Sequence, residues 1–137
     1  MSANATRGEI PFTLEGQQYV LRPSWEAIDQ FETETGKGVL QLAVEAREGT
    51  MKSREVAAVA TACIRAWGRS TETELAKVAR DVDKSRVGEL IMDSESGLSG
   101  AMSKIAVLLV LAATGEYTAS GELKPATEKK KRETAAG

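Results

Sequence analysis

Asp81-Val82-Asp83-Lys84-Ser85 sets acidic and hydroxyl side chains at alternate positions, as the start of a calcium-binding loop does. Such a loop also needs glycine at its sixth position and a bidentate glutamate at its twelfth. Here those positions hold Arg86 and Met92, so the run reads as a solvated helix end. Gly36-Lys37-Gly38 has neither the glycine spacing of a dinucleotide fold nor the surroundings of a P-loop, and Gly36 is better explained as a helix C-cap. Gly97-Leu98-Ser99-Gly100 lacks the spacing of a nucleophile elbow. Histidine is absent and Cys63 is the lone cysteine. That removes the usual acid/base group and leaves no partner to activate a thiol. The expectation is a protein without catalysis, metal or cofactor.

The chain that must position these residues has 137 of them, 42% hydrophobic and 28% charged, with a net charge of −2. This is the size of one domain with a real core. A lone cysteine fits a reducing compartment. The opening Met1-Ser2-Ala3-Asn4-Ala5-Thr6 is polar, unlike a signal peptide. The most apolar run, Ile105 to Ala113, falls short of the roughly 20 residues that span a bilayer. A soluble, cytoplasmic protein without membrane contact is expected. Residues 1–46 carry a net −4 and residues 47–86 a net +3. Such segregation favours electrostatic matching to a protein partner over nucleic acid, which usually asks for a strongly basic domain.

The patterning predicts a mainly α fold: an N-terminal β-hairpin packed on a small bundle of five or six helices, with a disordered C-terminal tail. Glu9 to Leu14 and Tyr19 to Arg22 alternate apolar and polar around a turn at Glu15-Gly16-Gln17-Gln18. Pro11 marks its strand as an edge. Ser24 caps a first helix whose Trp25, Ile28 and Phe31 share a face before Gly36. A short helix from Val39 to Glu48 presents Leu40, Ala43 and Val44 and stops at Gly49. Ser53 caps a longer one through Trp67, ended by Gly68. Thr71 and Glu74 form a capping box for a helix bearing Leu75, Val78 and Val82. Val87 to Met92 is another short helix. The last helix begins at Ser99 or Gly100, ends at Gly115 and is apolar on every side, which places it in the middle of a bundle or in an interface between subunits. Residues 1–6 are expected to be flexible, 7–115 to form one domain, and 116–137 to be a disordered, basic-tipped tail.

Two surfaces are candidates for core packing and self-association: the Val56–Trp67 stripe, with Val59 and Trp67, and the final helix, with Ile105, Leu108 and Leu109. A homo-oligomer is compatible with both. The basic cluster Lys129, Lys130, Lys131 and Arg132 offers an electrostatic contact to an acidic partner. Three successive lysine codons can also form an adenine run on which ribosomes slip, giving an extended product. Nine basic residues gather between Arg47 and Arg86, and two successive helices there could be drawn as a helix-turn-helix. Glu72, Glu74, Asp81 and Asp83 would then face phosphates, which disfavours a DNA-binding regulator.

The order of these features resembles a specific family. Arg7-Gly8-Glu9 opens the hairpin, Leu21-Arg22-Pro23-Ser24 leads into a helix with Ala27, Ile28 and Glu32, and Gly36 closes it. Leu42-Ala43 follows, then the alanine-rich helix and the apolar helix ending at Gly115. Over residues 7–115 the chain resembles the small tail proteins of gene transfer agents and related long-tailed phages, whose genes lie near those for the major tail protein and the tape measure. The resemblance does not extend to the basic tail. Members are described both as tail tube proteins and as tail assembly chaperones. Tube subunits stack as rings of β-sheet, so one hairpin among many helices favours the chaperone. The resemblance thus implies a non-enzymatic chaperone that binds the tape-measure protein and recruits tail tube subunits in the host bacterial cytoplasm, absent from the finished virion. A structural virion component, tube or head–tail connector, is the alternative.

Overall fold

A computed structural model describes residues 9–125. The expected flexible residues 1–6 and the cluster Lys129–Arg132 lie outside the described residues. The chain runs β1 (Ile10–Leu14), β2 (Gln17–Leu21), α1 (Trp25–Thr35), α2 (Val39–Glu48), α3 (Ser53–Ser70), α4 (Glu74–Ala79), α5 (Lys84–Asp93) and α6 (Gly97–Ala113). A mainly α body with one N-terminal hairpin is therefore what the sequence builds.

β1 and β2 pair antiparallel with Leu14 opposite Gln17, so the turn is only Glu15-Gly16 and is tighter than expected. Both turn residues have positive φ, at 51° and 74°, the handedness that matches strand twist. Pro11 sits opposite Val20, and its carbonyl accepts a hydrogen bond from Lys104 Nζ at 3.1 Å. β2 lies against α3 and α4 while β1 meets α6. Cover on more than one side explains why Tyr19, Val20 and Leu21 are all buried instead of alternating.

Ser24 caps α1 as expected, its Oγ accepting from the Ala27 amide at 3.1 Å. Ala27 and Phe31 face the core, but Trp25, in the first turn, is 68% exposed and leaves the predicted face. Gly38 has no side chain with which to cap α2, so Glu32 reaches across from α1 and accepts from the Val39 amide at 2.8 Å. The core face of α2 is Leu42, Ala43 and Ala46, not Leu40, Ala43 and Val44. Two alanines let α6, its main neighbour, approach closely, and Leu40 and Val44 turn outward.

The centre of the molecule is α3, not the last helix. Nearly every residue from Glu55 to Gly68 is buried, and α1, α4, α5, α6 and β2 all pack on it. Its alanines explain this, since small side chains let several neighbours approach one axis. Ser53 is its first residue rather than its cap; the Glu55 carboxylate accepts from the Lys52 amide at 3.0 Å instead. Gly68 does not end α3. A Cβ there would lie 2.6 Å from the Arg80 nitrogen and 2.7 Å from the Ala76 oxygen, so the glycine admits the backbone of α4. Thr73, not Thr71, caps α4 by accepting from the Ala76 amide at 3.1 Å. Ala76 and Ala79 are the buried residues of α4, and Val78 is exposed.

Order continues past Gly115, where the composition suggested it would stop. Residues 116–124 fold back as a clasp: Tyr117 bridges Leu123, the Lys124 amide donates to the Glu116 oxygen at 2.9 Å, and Ala119 O accepts from the Trp25 amide at 2.8 Å. The clasp is held by Arg22, which is buried. Its Nε donates to Ser120 O at 2.6 Å, and its terminal nitrogens reach Glu122 at 3.2 Å and Glu9 at 3.4 Å. A polar segment can be ordered without a large apolar face when a buried guanidinium needs its carbonyl and carboxylate. The expected disorder thus does not begin at Glu116, and residues 126–137 lie outside the described part.

Candidate functional site

The apolar residues singled out from the sequence are spent inside the chain. Val59, Ile105, Leu108 and Leu109 are fully buried and Trp67 nearly so. They form the core against which α2, α4 and α5 pack, with about 1.5–3 kcal/mol expected from each large side chain removed from water. None offers area to a second molecule in this fold. The outward apolar residues are others: Trp25, Leu40, Val44, Val78, Met92 and Val107.

The basic middle is mostly occupied as well. Arg65 donates from two nitrogens to Val82 O, at 2.9 and 2.7 Å. Arg80 satisfies the α3 terminus through Gly68 O at 2.7 Å and Thr71 O at 3.1 Å. Arg69 pairs with Glu26, Lys77 with Glu74, Lys84 with Glu34 and Arg86 with Glu15. Asp83, from the calcium-like run, caps α5 by accepting from the Arg86 amide at 3.1 Å. Arg47, Lys52 and Arg54 have no ion pair among the described residues.

A cleft of about 720 Å³ opens where the C-terminal end of α1, the first turn of α3 and the face of α5 meet. Ala57, Ala58, Gly88 and Leu98 supply a small, apolar floor, and Met92 stands at its lip, largely exposed. One wall is an ion-pair relay: Lys37 Nζ lies 2.9 Å from Glu45 and 2.9 Å from the buried Glu55. Hydrogen bonds to Glu55 and Glu45 hold the Lys37 ammonium above its usual range. Burial pushes Glu55 upward, but the Lys37 ammonium and the Lys52 amide outweigh it and leave the carboxyl below its usual value. Lys52, Arg54 and the Lys84–Glu34 pair complete the rim.

The cleft lining also carries the hydroxyl side chains of Thr35, Ser53 and Ser85. The Cys63 thiol is fully buried elsewhere, and desolvation pushes it far above its ordinary range. Tyr117, in the clasp, is pushed up to about 12, first by burial and then by Cys63. Among the described residues no three acidic or thiol side chains gather as a metal site would require, and no helix is long and apolar enough to cross a membrane. The cleft escaped sequence reasoning because its residues come from four helices. Its one local signal is a glycine at position 88, in the middle of a helix.

Residues 7–92 match the model of a family described as phage tail tube protein, GTA-gp10. The match takes in the hairpin, α1 to α4 and nearly all of α5, and stops before α6 and the clasp, whereas the sequence pattern carried the likeness to Gly115. Neither the curated proteins nor the solved structures contain a match.

Proposed function

Since this chain belongs to the GTA-gp10 phage tail tube protein family, we propose that within that setting it is a non-enzymatic tail assembly chaperone. It keeps the long, hydrophobic tape-measure protein soluble in the host cytoplasm, recruits tail tube subunits as the tail polymerises, and is left out of the finished particle. The observation that carries this reading is the scarcity of strands. Among the described residues the only sheet is the two-stranded β1–β2 hairpin, and its neighbours are helices. A tube subunit needs enough sheet to close a ring edge to edge, because only continuous pairing removes the exposed strand edges. A helical body with an open cleft and outward Leu40, Val44 and Met92 fits transient capture of apolar helices.

Co-expression with the tape-measure protein of the same phage or gene transfer agent tests it. The expected result is a higher soluble yield of the tape measure and its co-purification with this chain; the absence of both effects would overturn the chaperone. The family's description favours a second reading, a tube component of the virion. Mass spectrometry of purified particles separates the two, since a tube protein is present at ring-like copy number and a chaperone is absent or nearly so.

A further inference from the structure

We propose that the cleft between α1, α3 and α5 is a docking groove for an acidic, amphipathic helical segment of a partner protein. This rests on reading the protein as a binder, and it assigns the place and the chemistry of the bound segment. Gly88 carries the first part of the argument. It lies in the interior of α5, where glycine lowers helix stability relative to alanine. The molecule's own packing does not demand it, because a Cβ there would meet only the Ala57 Cβ at 3.5 Å, an ordinary contact. A bare floor is therefore kept at a place where another chain's side chains can enter. Met92 is apolar, flexible and exposed beside it, suited to wrap whatever enters.

Charge selects the occupant. Lys37 pairs with both Glu45 and Glu55, and Lys84 with Glu34. Lys52, whose charge also acts on Glu55, and Arg54 have no ion pair among the described residues, so these four cations outnumber the three carboxylates by one. The groove is thus left net positive and asks for carboxylates flanking an apolar stripe. The chain's own Lys129–Arg132 cluster carries the wrong sign to fill it. The walls are helices and no strand edge enters the cleft, which favours a helix laid in a groove over an added strand. A volume of about 720 Å³ accommodates several anchoring side chains but not a whole domain.

The test titrates the full chain with two labelled peptides of about 16 residues, long enough to become helical on docking. One has leucines on one face and glutamates on the other; its twin has lysines for the glutamates. Fluorescence anisotropy should show saturable binding of the glutamate peptide, weakened by salt, with the lysine peptide at least about tenfold weaker. Met92→Glu and the double variant K52E/R54E should each weaken binding about tenfold or more while keeping the wild-type circular dichroism spectrum. Val78→Glu, on α4 outside the cleft, should not. No saturable binding, equal binding of both peptides, or equal loss in Val78→Glu would overturn the groove. So would a wild-type dimer that the cleft variants convert to monomer, since a second copy would then be the occupant. If the cleft variants retain the tape-measure protein as wild type does, the groove falls and the chaperone stands. If the peptide binds as expected but the tape measure is never retained, the chaperone falls and the groove stands.

Discussion

Glu55 is a single side chain serving three elements. Its carboxylate accepts from the Lys52 amide at the start of α3 and pairs with Lys37 from the α1–α2 connection, which also pairs with Glu45 of α2. Because the folded state holds this carboxyl below its usual value of 4.5, folding is favoured by the ionised form. The resulting stability is complete above that value and drains away as pH falls through the lower, folded-state value. Glu55→Gln cannot titrate there. It should lose about 1–2 kcal/mol at pH 7, and its melting temperature should vary less with pH below about 4.5 than that of wild type. Thermal unfolding by circular dichroism between pH 3 and 7 checks both, and parallel curves for the two proteins would remove Glu55 from the acid response.

At the scale of elements, two helix-interior glycines that look alike in the sequence have opposite reasons to exist. Gly68 of α3 touches the backbone of α4, so Gly68→Ala must push the helices apart and should destabilise by about 1–3 kcal/mol. Gly88 of α5 has room, so Gly88→Ala should stabilise by about 0.5–1 kcal/mol. Urea denaturation of the two variants should move the midpoint in opposite directions. The pair also marks the limit of reading elements from sequence. Local signals worked where the cause is local: Ser24 caps α1, Gly36 and Gly49 close α1 and α2, and α2 has the expected bounds. They failed where a distant element decides. Gly68 reads as a stop until α4 is placed against it, and Leu40 reads as core until α6 selects Leu42 and the alanines instead. The apolar run Ile105–Ala113 suggested the centre of the bundle, yet an alanine-rich helix took that position because small residues admit more neighbours. The cleft was illegible for the same reason, since no local pattern brings residues 37, 54, 88 and 98 together.

For the whole molecule, the clasp carries the fold past Gly115. Gly121, at φ +87°, lies so close to Arg22 and Ser24 that a Cβ would stand 2.9 Å from each. Gly121→Ala should therefore dislodge the clasp, leave the buried Arg22 short of acceptors and cost about 1–3 kcal/mol. Faster hydrogen exchange at the Trp25 amide, which bonds to Ala119 O, reports that opening directly. Arg22 and its acceptors at Ser120 and Glu122 are separated by 98 and 100 positions along the chain. A ribosome delivers the hairpin long before it delivers those acceptors. Of the partners of the Arg22 side chain, only Glu9 is available to it until residues 120 and 122 are free to reach it. The order of synthesis thus makes the clasp the last of these contacts that the chain can form.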